Sequence, residues 1–169
     1  MYTVVMKDSL KKYLPSIVYG GSDGAITTFS VMAGAAGAGL DPRIIIILGC
    51  ANLASDGISM ASSDYLSEES KSGANQKRSL ADAFSTFISF VGVGLIPLIP
   101  FLLALVVTLP ANQFFLSVLF TLIAFISIGY LRGYILKKNK TTMIIQSVVL
   151  GAICAGAAYF IGQFIASIA

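Results

Sequence analysis

The sequence predicts an all-helical integral membrane protein, a single transmembrane domain of residues 1–169 that crosses the bilayer five times. Two observations carry this prediction. Hydrophobic residues make up 56% of the chain and charged residues only 11%, whereas soluble domains usually carry about 25% charged residues. The apolar residues also form five continuous stretches, each long enough for the ~20 residues that a transmembrane helix needs.

Short polar breaks separate the five predicted helices. A backbone in lipid must satisfy its own hydrogen bonds, so apolar stretches of this length are expected to be helical. The breaks are Asp41-Pro42, residues 67–79, residues 110–112 and residues 137–140. The predicted helices span about residues 14–38, 43–66, 81–107, 113–135 and 142–167.

Lysine and arginine lie almost entirely on one side of the predicted membrane. Ten of the eleven precede helix 1, separate helices 2 and 3, or lie at and after the end of helix 4, and Arg43 alone lies on the other side. The positive-inside rule therefore predicts a cytosolic N-terminus and a C-terminus on the opposite side. The N-terminal residues do not resemble a cleaved signal peptide, which favours a prokaryotic cytoplasmic membrane, or a vacuolar-type membrane in a eukaryote.

Composition disfavours several other classes of protein. Histidine is absent, which removes the commonest metal ligand and the usual general base. Cys50 and Cys154 lie in apolar segments without CxxC spacing, so buried thiols are expected rather than a disulfide or a zinc site. No basic run is interleaved with aromatic residues, so no nucleic acid partner is expected.

Three aspartates lie within the first two predicted helices: Asp23, Asp56 and Asp64. A charge at mid-membrane costs at least ~2.5–3.5 kcal/mol on insertion scales, and such residues usually face a protein interior or a watery path. Asp23 and Asp56 are therefore candidate functional residues. Asp64 lies near the cytosolic end, where an interfacial position explains it equally well.

Both helices carry a polar stripe at helical spacing. On helix 2 the stripe is Asn52, Asp56, Met60 and Ser63, flanked by Ser59, and on helix 1 it is Gly20, Asp23, Thr27, Ser30 and Gly34. Counting from the cytosolic helix ends at about 1.5 Å per residue places Asp23 level with Asp56 and Met60. The same count places Thr27 level with Asn52, so the two stripes can form one site.

This donor set suits a divalent cation. Carboxylate and amide oxygens bind such ions, and the Met60 thioether would help Fe²⁺, and also Co²⁺ or Zn²⁺, to compete. Packing is an equally good explanation for Met60. A buried carboxylate takes up a proton when no metal is bound, and metal binding expels it, so the site can exchange metal for protons. The predicted metal site is Asp23, Met60, Asp56 and Asn52, with Thr27, Ser30, Ser59 and Ser63 lining the path.

Two motifs in residues 19–70 resemble the vacuolar iron transporter family. Ser-Asp-Gly at 22–24, followed by a Thr/Phe segment and Ala-Gly repeats, resembles the first helix of that family. Ile-Ser-Met at 58–60, followed by Asp64-Tyr65-Leu66-Ser67, resembles the second, although Glu is common in the family where Asp64 stands. Helices 3 to 5 match in number, size and glycine content only.

The resemblance implies a five-helix homodimer with a metal path at the dimer interface, lined by helices 1 and 2. It implies a transporter rather than an enzyme, exporting Fe²⁺, and often Mn²⁺, from the cytosol in exchange for protons. The metal is then the substrate, and no cofactor is expected. Asp23 and Met60 match metal-coordinating positions of the family, whereas Asp56 and Asn52 come from the stripe alone.

One departure concerns the segment between helices 2 and 3. Many family members carry a cytosolic metal-collecting helical domain there, but this chain has only residues 67–80, as in the shorter nodulin-like or prokaryotic members. Adjacent glutamates such as Glu68 and Glu69 are usually simply solvated. Together with Asp64 they are also candidates for a cytosolic entrance that attracts cations.

Two alternative function classes stay open at this point. A passive cation channel or a non-transporting membrane scaffold would also carry polar stripes, because such stripes can serve helix packing. An intramembrane aspartyl hydrolase could use paired aspartates, but the GxGD pattern and any further catalytic group are absent from the sequence.

Overall fold

The computed structural model describes the backbone of residues 2–71, 73, 75–109 and 111–169, with side chains from residue 13 onward in these ranges. This part of the chain forms five α-helices joined by short connections. They are α1 (Tyr2–Gly37), α2 (Pro42–Glu69), α3 (Gln76–Leu103), α4 (Gln113–Ile135) and α5 (Lys140–Ile168).

An aspartate or asparagine caps the N-terminus of each helix from α2 to α5. Asp41 accepts a hydrogen bond from the Arg43 backbone N–H at 2.8 Å, and Asn112 accepts one from that of Phe114 at 2.8 Å. Asn75 and Asn139 cap α3 and α5 in the same way. Such caps satisfy backbone donors that a helix start leaves free, so the polar breaks of the sequence fix where these helices begin.

The helices extend beyond the predicted apolar stretches at several ends. Tyr2 begins α1, well before the predicted start at residue 14, and Gln76 begins α3 directly after its cap. Leu103 ends α3 before the predicted 107, and residues 104–106 form a turn. A helix is defined by its backbone hydrogen bonds, whereas hydropathy marks only the part suited to lipid.

Four of the described helices, α2 to α5, are long and apolar enough to cross a membrane. The chain is therefore a helical membrane protein, as the sequence predicts. Helix α1 is long enough but less apolar than these four, because glycine, serine, threonine and aspartate are frequent along it.

Helix α1 is nevertheless the element around which the others pack, since it contacts each of α2, α3, α4 and α5. Its apolar side chains contribute to three buried clusters. Met32 joins the cluster between α1, α2 and α3, Ala25 joins the one with α4, and Phe29 joins the one with α5.

Glycines allow the α1 backbone to touch its neighbours directly. A Cβ added at Gly24 would overlap the Phe90 carbonyl of α3, and one at Gly20 would overlap the Thr86 carbonyl. On the other side, a Cβ at Gly162 of α5 would overlap the Gly34 carbonyl. Small residues at such positions are typical of close helix packing in membranes.

The two cysteines do not lie in this core. Cys50 and Cys154 are both exposed on the outer surface of the helices, which corrects the expectation of buried thiols. Their apolar neighbours in sequence face the membrane rather than the interior, because in a membrane protein the outer surface is apolar as well.

We expect Gly24→Ala to lower the free energy of unfolding by about 1–3 kcal/mol, because the added methyl meets backbone atoms that cannot move aside. Thermal unfolding in detergent measures this as a lower melting temperature. Gly92→Ala is the matched control, since a Cβ there meets open space. Equal melting temperatures for the two variants would contradict the proposed close contact.

Candidate functional site

The structure brings Asp23 of α1 and Asp56 of α2 together. Both side chains are half-buried, and their carboxylates are close enough to repel one another electrostatically. Among the described residues, no ion pair joins either carboxylate to a basic side chain. Two like charges held together at the boundary of two helices are suited to binding a cation or sharing a proton.

The same two helices carry buried polar atoms that lack hydrogen-bond partners among the described residues. In the part of the chain that the structure describes, four buried side-chain atoms have no hydrogen-bond partner, and all four belong to α1 or α2. They are Ser22 Oγ, Thr28 Oγ1, Ser30 Oγ and Asn52 Nδ2. Buried polar groups normally find partners, so these helices carry polar capacity that their own packing does not use.

The other members of the predicted stripes differ in their surroundings. Thr27 donates its hydroxyl to the Asp23 backbone carbonyl at 2.9 Å, so this hydroxyl is engaged within α1. Met60 lies one turn beyond Asp56 and packs against the apolar cluster shared by α1, α2 and α3. Ser59 and Ser63 lie exposed on the outer face of α2. They therefore line a path only if that path runs along this outer face.

Asp64 points toward α3 rather than toward solvent. The fully buried Thr86 donates its hydroxyl to Asp64 Oδ2 at 2.5 Å. The same hydroxyl lies 3.5 Å from the Ser16 carbonyl of α1. Asp64 therefore links α2 to the α1–α3 contact, which the interfacial interpretation of this residue did not anticipate.

Glu68 and Glu69 are engaged locally at the end of α2. Glu68 forms an ion pair with Lys71, and Glu69 accepts a hydrogen bond from the Tyr65 hydroxyl at 3.2 Å. Exposed pairs of this kind contribute little free energy, so both carboxylates are available to exchange partners at this mouth of the bundle.

A polar column on α3 was missed at the sequence level. Ser79, Asp82, Thr86 and Ser89 are all buried, and their spacing of three and four residues puts them on one face of the helix. The Asp82 carboxylate is 3.7 Å from Arg78 Nε. These intervals of three and four residues are the same signal that indicated the stripes of helices 1 and 2, so the column is visible in the sequence.

Two cavities open at opposite ends of the bundle. One of about 400 Å³ lies between α1, α4 and α5 and includes Asp23 and Arg132 in its wall. The other, of about 670 Å³, lies where α1 meets α2 and α3 meets α4, and Asn112, Gln113 and Tyr159 contribute to it. The described wall of the second cavity contains no charged side chain.

A complete metal site is not assembled by carboxylates of this chain alone. Within the described ranges, no three cysteine, aspartate or glutamate side chains lie close enough together to hold a metal ion. A cation at Asp23 and Asp56 would therefore need further ligands, such as the Asn52 amide or the Met60 thioether, or groups from a second chain.

Comparison with known proteins identifies the family. The model of the VIT family matches residues 14–79 and 71–163. The chain belongs to the VIT family. This confirms the resemblance drawn from the two sequence motifs and extends it over helices α3 to α5.

Named relatives match over shorter segments. The vacuolar iron transporter of Plasmodium falciparum is 43% identical over 61 residues, which is 36% of this chain and 21% of that protein. Vacuolar iron transporter 1 of Eucalyptus grandis is 32% identical over 91 residues, 54% of this chain and 35% of that protein. The chain thus aligns with about a fifth to a third of the length of these relatives.

We expect Thr86→Val to lower the free energy of unfolding by about 1–3 kcal/mol, because it leaves the half-buried Asp64 carboxylate without its hydroxyl donor. Thermal unfolding in detergent is again the measurement. Thr86→Ser, which keeps the hydroxyl, should recover most of the loss.

Ser85→Ala is a suitable control, since its hydroxyl bonds only to the Ala81 carbonyl of its own helix. If Thr86→Val and Ser85→Ala had the same effect, the contact between α2 and α3 would not carry the stability assigned to it.

Proposed function

We propose that the protein is a proton-coupled transporter that moves Fe²⁺ or Mn²⁺ out of the cytosol, with Asp23 and Asp56 at the centre of the ion path. The observation that carries this proposal is the approach of two half-buried carboxylates on the polar faces of α1 and α2. Membership of the VIT family supports it, and the relatives compared above are named as transporters rather than enzymes.

The proposed membrane arrangement has five spans, with α1 as the fifth. Its contacts with all four apolar helices support this, because they cover a helix that is too polar to face lipid by itself. The distribution of lysine and arginine supports a cytosolic N-terminus and a C-terminus on the opposite side.

We propose that the ion is bound by Asp23, Asp56, Asn52 and Met60. Among the described residues, Asn52 Nδ2 has no hydrogen-bond partner, so this amide can turn its carbonyl oxygen toward a cation without losing a contact. Fe²⁺ and Mn²⁺ bind more favourably to oxygen ligands with one thioether than to a set of thiolates. Protons compete with the metal for the two carboxylates, which is the physical basis of coupling.

The proposed assembly is a homodimer with the path at its interface. The outer face of α2 supports this, because the exposed Ser55, Ser59, Ser62 and Ser63 are hydroxyl groups where lipid would favour apolar side chains. A second copy would cover this face and supply additional ligands, which the described carboxylates of one chain do not provide.

Asp23→Asn and Met60→Leu are expected to reduce metal uptake to near background. The first removes the charge that binds the cation, and the second removes the thioether while keeping side-chain volume for packing. Uptake of Fe²⁺ or Mn²⁺ into proteoliposomes under an imposed pH gradient is the measurement. Asp41→Asn is the matched control, since this exposed residue caps α2 and asparagine caps equally well.

The same assay separates the proposal from its alternatives. Uptake that continues undiminished without a pH gradient would indicate a passive channel. Absence of uptake by the parent protein would indicate a scaffold. If Asp23→Asn transported as well as the parent protein, the proposed path would be wrong.

A further inference from the structure

The cavity between α1, α4 and α5 has mostly apolar walls. Leu14, Val18 and Ile26 contribute from α1, with Phe125 and Ile128 from α4. From Leu14 to Ile26 the wall runs about 18 Å along α1, at 1.5 Å per residue. This length suits a hydrocarbon chain lying parallel to the helices.

One cationic group, Arg132 of α4, reaches into this cavity. The backbones of Gly133 in α4 and Lys140 at the start of α5 lie in contact, which fixes the level of α4 relative to α5. Arg132 Nη1 nevertheless donates to Ser147 Oγ at 3.2 Å. Ser147 lies more than one helical turn further along α5. The side chain therefore runs back along the bundle, in the direction that helix geometry gives it, toward the N-terminus of α4.

The Arg132 guanidinium has unused hydrogen-bonding capacity. A guanidinium carries five N–H donors, and among the described residues Ser147 is its only hydrogen-bond partner. Within the same part of the chain, no carboxylate pairs with it. A half-buried cation of this kind favours an anion with several oxygen acceptors.

Further positive charges lie at the same end of the bundle as Arg132. Lys137, Lys138 and Lys140 are exposed at the same end of the bundle, directly after α4. Basic pockets between transmembrane helices bind anionic lipid headgroups. Positive charge and an apolar wall therefore occur in one cavity, whose wall also contains the Asp23 carboxylate.

We propose that this cavity binds one anionic phospholipid, with its phosphate at Arg132 and Ser147 and one acyl chain along α1. Phosphate accepts two parallel hydrogen bonds from a guanidinium, and the chain buries the apolar wall. Free phosphate would leave that wall empty, so the lipid accounts for both parts of the cavity. The cavity also borders Asp23, but the lipid proposal does not rest on the proposed transport, because its test measures lipid retention alone.

Native mass spectrometry of the full chain, stripped of lipid and then incubated with defined lipids, tests the headgroup contact. We expect phosphatidylglycerol to be retained under conditions that remove phosphatidylcholine with the same acyl chains. Arg132→Gln should weaken phosphatidylglycerol retention about tenfold, which is the effect of losing a charged hydrogen bond. Arg43→Gln, which removes an exposed charge that does not line the cavity, should retain it at the parent level.

A second variant tests the acyl-chain contact without changing any charge. Leu150→Trp fills the cavity wall, whereas Ile153→Trp places the same bulk elsewhere on the exposed surface of α5. Only the first should abolish retention. Unchanged helical content by circular dichroism and a single gel-filtration peak would establish that both variants fold.

Three results would overturn the proposal. Equal retention of phosphatidylglycerol and phosphatidylcholine by the parent protein would remove the headgroup contact. Parent-level retention by Arg132→Gln or Leu150→Trp would place the lipid elsewhere. Release of phosphatidylglycerol by millimolar inorganic phosphate would assign the site to the free anion.

Discussion

Helix α1 carries glycine, serine, threonine and aspartate where a helix exposed to lipid would carry leucine or valine. Such a helix is stable in a bilayer only if other helices cover it, because unsatisfied polar groups in hydrocarbon cost several kcal/mol each. Backbone contact at Gly24 with α3 and at Gly34 with α5 provides that cover. The small residues that make α1 unsuited to lipid also allow the neighbouring helices to come close enough to enclose it.

The buried acids divide into two groups by the way their charge is compensated. Asp64 has the Thr86 hydroxyl, and Asp82 has the Arg78 guanidinium at 3.7 Å. Both acids are held by donors from α3; the Asp64 contact links α2 to α3, whereas the Asp82 ion pair lies within α3. Asp23 and Asp56 face one another without a basic partner among the described residues. A pair that repels itself is costly unless a cation or a proton occupies it, and this distinguishes Asp23 and Asp56 from Asp64 and Asp82.

Much of the fold followed from sequence because hydropathy and capping act locally. The apolar stretches gave the order of the helices, and the predicted starts of α2, α4 and α5 lie within two residues of the observed ones, whereas α3 begins five residues early, directly after its Asn75 cap. Counting residues along two helices predicted that Asp23 would be level with Asp56, since helix rise is constant. These inferences need no knowledge of which helices are neighbours.

What could not be predicted depends on those neighbours. The direction of Asp64 is set by Thr86, a residue 22 positions away, and the exposure of Ser59 and Ser63 depends on which face of α2 meets α3. The sequence also does not show that the backbone of Gly24 would lie in contact with that of Phe90. Hydropathy also fails to separate an outward-facing cysteine from a buried one, because both surroundings are apolar.

Asp23 lies where two different environments meet on α1. Toward α2 it faces Asp56 and the polar stripe, and toward α4 and α5 it contributes to the wall of the cavity that contains Arg132. A cation held between Asp23 and Asp56 keeps its ligands only if water and competing groups are excluded from the other side. An acyl chain in that cavity would provide such exclusion while leaving the α2 side open. If Asp23 binds the transported ion, as proposed, the apolar cavity on its other side would therefore keep that ion from leaving toward α4 and α5.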